Sequence, residues 1–429
     1  MPTTKWTCNV DANGTATLLC QITEDGGQPG TPFSTKLNGV CYSPAPLNGS
    51  NSYAPALGDW YWDSFGSVTG WKALWGRDWQ SMNALNLSSL RVYCMLSRQL
   101  NLDGTFPNPW NAGQFFTHQN FLDLCWDTTA PDPQSRRTKF ALVGIPLPSQ
   151  MFWKEQYDKT SKVEIDYWTG VLQETAQSVG RHPGVMGFTI QNEQDGSKVC
   201  YEDPVLAQFW WGQVEKMAAI VKQAAPNKLV GMATHDDPKI PRLAAAYMAN
   251  CPHIDFWGVN SYQTQTFGPF FADYGNLKGG ALKPVILTEW GMPATTRKIA
   301  SEPASIYDDA TSRAKAAAVV NLVVPQAYKH PLCIGLYYFE FCDEWWNQPG
   351  APNIYTWFGG QEASGFPNGY WDNDGFGLYS IRRGGNLPNN APIWSQNGNG
   401  PAMPIDVHTE RTELTSVLTE IFQAATASK

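Results

Sequence analysis

Charged side chains are scarce in this sequence. Asp, Glu, Lys and Arg together make up 16% of 429 residues, against 42% hydrophobic. That balance excludes an intrinsically disordered chain, which needs high charge and little hydrophobicity. The net charge of −8 is acidic and gives no electrostatic reason to bind nucleic acid or an anionic membrane surface. Histidines number only six, with no His-x-His pair, so a metal-dependent hydrolase is disfavoured and neither a metal nor a cofactor is expected. No run reaches the roughly 18 apolar residues of a membrane span. The opening Met1-Pro2-Thr3-Thr4-Lys5-Trp6 has none of the features of a signal peptide. Nine cysteines are an odd number, and none form a Cys-x-x-Cys pair, which excludes a complete disulfide framework and a zinc site. Cys41, Cys94, Cys333 and Cys342 lie in or beside predicted strands and read as small core hydrophobes. Cys8 and Cys20 flank a hairpin-like turn at Asp11-Ala12-Asn13-Gly14, and in an exported protein they would be candidates for a bridge.

Aromatic residues are abundant instead: 19 Trp, 17 Tyr and 20 Phe. Part of that number fills a core, but flat indole rings also stack on pyranose faces, so a carbohydrate ligand is suggested. The length suits one barrel of roughly 250 residues with large insertions.

Short apolar runs bounded by turn residues are the mark of buried parallel strands, and eight alternate here with helical patterns. The strands are predicted near 36–42, 90–95, 139–147, 187–193, 228–234, 255–262, 284–291 and 333–341. Helices are predicted near 114–126, 162–179, 204–225, 306–328 and 410–425. The fourth strand, Gly187-Phe188-Thr189-Ile190-Gln191, stops at Asn192-Glu193, and the seventh, Pro284-Val285-Ile286-Leu287-Thr288, stops at Glu289-Trp290-Gly291. A carboxylate at the C-terminal end of a barrel strand stands where such folds do their chemistry. The prediction is an α/β protein, a (β/α)8 TIM barrel spanning 36–429. A short N-terminal β-hairpin (1–35) would pack on it, and a long loop insertion would occupy 343–407 on the C-terminal face. Arg91 lies inside the apolar second strand and must be paired, because an unpaired buried cation is prohibitively costly.

Asn-Glu ending strand four and Glu ending strand seven resembles the clan A glycoside hydrolases, retaining enzymes on a TIM barrel. The resemblance covers roughly residues 36–341. It implies that Glu193 is the acid/base and Glu289 the nucleophile, that Arg91 and Tyr262 contact Glu289, and that Asn192 bonds the sugar 2-hydroxyl. Family 5 members often carry His two residues before that Tyr; Asn260 stands there instead, which argues against family 5 without touching the clan. Many clan members place a platform Trp where Phe339 stands, and Trp345 and Trp346 are candidates to replace it. The fragment Asp343-Glu344-Trp345-Trp346, with Asn373-Asp374-Gly375-Phe376-Gly377-Leu378, is similar to bacterial relatives of family 72 glucanosyltransferases. Asp372-Asn373-Asp374-Gly375 lacks the further acids of a calcium loop and reads as a turn.

Other candidate substrate contacts come from position alone. Trp60 and Trp62 lie in the loop after strand one, on the presumed active-site face, whereas Trp75 and Trp79, four apart on a helix, read as core. His235, ending strand five, is read either as facing the site or as a satisfied loop residue. The expectation is a retaining β-glycosidase, β-glucan being favoured over mannan or galactan, with transglycosylation as a second outcome. The rival is a glycan-binding barrel without activity, which the presence of both glutamates opposes. A secreted or periplasmic location is expected, with the cytoplasm as the alternative.

Overall fold

The computed structural model describes residues 1–44, 58–63, 71–101, 103–130, 136–195, 200–235, 240–262, 266–277, 282–297, 306–344, 361–372, 375–380, 393–395, 403–405 and 408–427. Eight parallel strands form a closed barrel in chain order: Leu37–Cys41, Ser89–Val92, Phe140–Gly144, Val185–Asn192, Leu229–His235, Phe256–Asn260, Val285–Trp290 and Cys333–Tyr338. Strand eight closes on strand one in the register Tyr338↔Val40. Nearly every residue in these strands is buried, because one face looks into the barrel and the other meets the helices. Outward-facing Val143, Phe188, Val230, Val259, Leu287 and Leu336 belong to the core shared with the helices. Leu142, Met186, Ile286, Ile334 and Tyr337 fill the interior. Tyr337 occupies the space opposite Gly39, where a Cβ would come within 2.3 Å of its ring, and its hydroxyl pairs with Ser89 Oγ at 2.6 Å.

The N-terminal segment closes the bottom of this barrel. Thr3–Val10 and Ala16–Thr23 pair antiparallel, and a third short strand, Phe33–Ser34, extends the expected hairpin to three strands. Alternation turns Trp6, Leu18, Cys20 and Ile22 inward, into the same cluster as the barrel interior. Each such apolar side chain contributes about 2 kcal/mol on burial. Backbone bonds fix the placement: Trp6 N–H donates to Asn227 O at 2.9 Å and Ala16 N–H to Pro331 O at 2.8 Å. Thr4 Oγ1 donates to Pro183 O at 2.8 Å and accepts from Lys228 Nζ at 2.7 Å. All these partners lie just before strands four, five and eight, so the sheet sits at the N-terminal mouth, away from the glutamates. The candidate bridge between Cys8 and Cys20 is not formed: Cys8 stands opposite Leu18, Cys20 stands opposite Trp6, and all nine cysteines are free thiols.

Helix boundaries follow local capping. Ser161 accepts from Glu164 N at the start of Lys162–Gly180, and the Asp203 carboxylate caps Pro204–Ala224. The helix expected from 306 begins instead at Ala310, where Asp309 accepts from Ser312 N at 2.8 Å; Ile306-Tyr307 pairs with Thr296-Arg297 as a two-stranded ladder. The helix expected from 114 is only Gln119–Cys125, because Asp63 from the first loop caps the amides of Gln119 and Asn120. In the 343–407 stretch, Gln361-Glu362 pairs with Tyr370-Trp371 and Ile393–Ser395 with Met403–Ile405, while Tyr379-Ser380 pairs with Thr409-Glu410 beyond it. Buried Arg411 ties this region down, reaching Asp343 at 2.7 Å and Asp308 at 3.0 Å. Among the described residues, no helix is long and apolar enough to cross a membrane.

Candidate active site

Both glutamates follow a break in strand register. The pairing of strands four and five shifts between Thr189 and Asn192, and that of strands six and seven between Leu287 and Glu289. Such irregularities re-aim side chains at barrel rims. Glu193 also adopts φ +52°, a left-handed conformation that costs a non-glycine residue about 1 kcal/mol. Its own amide bonds Ala233 O at 2.8 Å, and Gln194 N–H donates to Gln191 Oε1 at 3.0 Å, which holds the turn. Beyond Glu289, a Cβ on Gly291 would fall 1.7 Å from Phe339 O, so only glycine lets strands seven and eight meet here.

Glu289 is buried among donors. Arg91 Nη1 reaches its Oε1 at 2.7 Å, Tyr93 Oη donates to the same oxygen at 2.8 Å, and Tyr262 Oη donates to Oε2 at 2.8 Å. Burial opposes the charge on Arg91, but Tyr93 and Glu289 outweigh it and raise its pKa above the ordinary value. Burial, with the Glu289 charge added, holds the Tyr262 phenol well above its usual pKa, so it remains a proton donor.

Glu193 is differently placed, its side chain about one-third exposed (32%). Burial first, then the charge of Glu289, raises its pKa; His235, Asn260 and Arg91 pull the other way. One amide links the two carboxylates. Asn260 Nδ2 donates to Glu193 Oε1 at 3.0 Å, while Asn260 Oδ1 accepts from Arg91 Nη1 at 3.3 Å and from Thr288 Oγ1 at 2.7 Å. Asn192 Oδ1 accepts from Arg91 Nη2 at 2.7 Å and from Asn260 Nδ2 at 3.0 Å. Chemically, the arrangement offers one buried carboxylate held by three hydrogen-bond donors and one partly exposed carboxyl group whose pKa is raised.

No protein-family model matches the sequence, and no curated protein is similar enough in sequence to match. Solved structures do match. Gas2p of Saccharomyces cerevisiae in complex with laminaripentaose superposes with a TM-score of 0.50 at 13% identity, over 99% of this chain and 69% of that one. BpGH50 gives 0.50 at 14% identity, over 99% and 82%. A Bacteroides uniformis beta-glucuronidase gives 0.47 at 12% identity, over 88% of this chain; this chain spans only 39% of that protein's length. The fold shared with Gas2p and BpGH50 is the closed eight-stranded (β/α)8 barrel. Identities this low carry the fold alone, and the chemistry rests on the side chains.

On that barrel, the residues named from sequence are not all brought together. Glu193, Glu289, Arg91, Asn192 and Tyr262 come together in one hydrogen-bonded set, with Tyr262 in the loop just past the end of strand six. His235 is beside it, but turned to Glu193 and Asp195. Phe339 is half-buried and meets Tyr262 edge-on at 6.1 Å. Trp62 departs from its expected role: it is 3% exposed and stacked on Phe116 at 3.9 Å, so its face is occupied by protein. Trp60 is only partly buried but packs against the same helix-side core. Trp345 and Trp346 lie outside the described residues.

Three further residues join the site without being marked by the sequence patterns: Tyr93, Asn260 as a bridge, and Trp371. Tyr93 stands two positions after Arg91, hence on the same strand face, and that spacing is its one signal. Trp371, from the 343–407 stretch, brings its ring within 5.0 Å of Tyr262, with Phe376 at 5.9 Å. Nothing in the local sequence pairs those loop aromatics with strand six.

Proposed function

We propose that this protein is a retaining β-glycoside hydrolase acting on an oligo- or polysaccharide by double displacement, with transfer to a second sugar as an alternative to hydrolysis. The observation that carries the reading is the asymmetry of the two carboxyl groups. Glu289 takes hydrogen bonds from Arg91, Tyr93 and Tyr262, while Glu193 has its pKa raised by burial and by Glu289. Such a split is what acid and nucleophile roles require.

In the first step Glu193 gives its proton to the glycosidic oxygen as Glu289 bonds to the anomeric carbon, and the leaving sugar departs as an alcohol. In the second, ionised Glu193 takes a proton from water or an acceptor hydroxyl, whose oxygen displaces Glu289. Asn192, held by Arg91 and Asn260, is available to the 2-hydroxyl. Trp371 and Phe339, both partly exposed beside Tyr262, supply aromatic surface for a pyranose. A β-glucan is the substrate class favoured, on the family 72-like fragment; Gas2p, which binds laminaripentaose, makes the laminari-oligosaccharides the first to try. The purified protein should be incubated with β-glucans, mannans and galactans, and the products separated by chromatography. Shortened or transferred oligosaccharides are expected from β-glucan; a protein that binds the glycans but releases no product from any would overturn the reading.

A further inference from the structure

His235 is the last residue of strand five, and Asp195 holds it from two directions. Its backbone N–H donates to Asp195 Oδ1 at 3.1 Å, and its ring Nδ1 lies 3.1 Å from the same oxygen. Asp195 is itself buried, with a fully enclosed side chain, and its other oxygen accepts from the Tyr201 hydroxyl. An ionised carboxylate only accepts, so Nδ1 must carry a proton in this geometry. The opposite ring nitrogen, Nε2, is then turned to Glu193 Oε2 at 3.4 Å. Asp195 lies two residues beyond Glu193 in the same turn, so one short segment supplies both the acid/base and the clamp on its neighbour. The His235 side chain is 42% exposed and therefore open to solvent.

We infer that His235, clamped by Asp195, is a positioning residue that governs the charge on Glu193 across the two half-reactions; the inference rests on the retaining-glycosidase reading above. When Glu193 has given up its proton, a protonated His235 donates Nε2–H to the new carboxylate and balances its charge. When Glu193 recovers a proton from water or an acceptor, that bond is released. No net proton passes to the substrate from the imidazole. Among the described residues, the titratable and charged groups facing this pair are Asp195 and, through it, Tyr201. Glu289 on strand seven and Arg91 on strand two act from across the barrel mouth.

The sign follows from the charges. A cationic His235 favours ionised Glu193, against burial and Glu289, which raise its pKa. Replacing His235 should therefore let Glu193 keep its proton to higher pH. The alkaline limb of kcat/KM, where the acid must be protonated, should move upward in His235→Gln. Breakdown of the glycosyl-enzyme at neutral pH, which needs the ionised base, should slow about ten-fold. Asp195→Asn keeps an acceptor for Nδ1–H but removes the charge that favours the imidazolium, and should move the limb the same way. A purely structural role would lower activity without moving the limb.

Two readouts test this. The first is the pH profile of both variants on a β-linked oligosaccharide, whose poor leaving group needs the proton of Glu193. The second is NMR of the resting wild-type protein and His235→Gln, following the 13C-labelled Glu193 carboxyl and the His235 ring nitrogens with pH. Expected are a wild-type Nδ1 that stays protonated throughout and a Glu193 titration that moves up in His235→Gln. An unprotonated Nδ1 at neutral pH, or a Glu193 titration unmoved by the substitution, would overturn the inference. Because the titration needs no turnover, it stands even if the protein cleaves no glycoside, and that result would count against the proposed function instead.

Discussion

Glu289→Ala should lose turnover by on the order of 10⁴-fold or more, because it removes the nucleophile assigned to attack the anomeric carbon. Arg91, Tyr93 and Tyr262 all point their donors at this one carboxylate. Truncation leaves an anion-shaped space lined by a guanidinium and two phenols. Azide fits such a space and should restore part of the rate on substrates with good leaving groups. It would attack from the side vacated by the carboxylate, opposite the β-oriented leaving group, so the product should be the α-glycosyl azide. Mass spectrometry and NMR of that product check the prediction. Full activity of Glu289→Ala on a natural glycan would remove this residue from the chemistry altogether.

Glu193→Gln should fail selectively. Protonation of the leaving oxygen is worth about 10²–10⁴-fold, and that is the loss expected on natural oligosaccharides. Aryl glycosides with acidic phenols need little protonation, so their first step should be nearly intact. The second step still lacks its base, and the glycosyl-enzyme should accumulate as a burst of phenol. Here azide should enter from the Glu193 side and displace Glu289, giving the β-glycosyl azide. Opposite anomers from the two variants would separate the roles in a way that loss of activity alone does not. Equal impairment on aryl glycosides and natural oligosaccharides would contradict the acid role of Glu193.

Much of this arrangement is legible in the chain itself, because polar residues in apolar strands are conspicuous. Arg91 among Leu90, Val92 and Cys94 demands a partner, and the abrupt endings at Glu193 and Glu289 mark the same end of the barrel. What strand patterns do not carry is the contact between distant loops. Trp62 stacks on Phe116, far along the chain, and composition says nothing about which loop aromatics are already covered. Trp371 reaches Tyr262 from a region whose two-residue ladders are too short to leave a periodic signal. Asn260 shows a second kind of gap. Judged against a family pattern it is merely the wrong residue. In the structure its amide joins Glu193, Asn192, Thr288 and Arg91, taking up both its donor and its acceptor capacity. The capping residues divide likewise. Ser161 and Asp203 are adjacent to their helices and legible, whereas Asp63 caps the helix at 119 from another loop.

The central claim is that Glu289 forms a covalent glycosyl-enzyme while Glu193 serves first as acid and then as base. Following the anomeric proton by NMR from the first turnover of a β-linked oligosaccharide tests it most directly. Two displacements at one carbon restore the starting configuration, so the β product should appear first and the α anomer only later, by mutarotation. An α product appearing first would mean a single displacement by water, and would contradict the roles assigned to both glutamates.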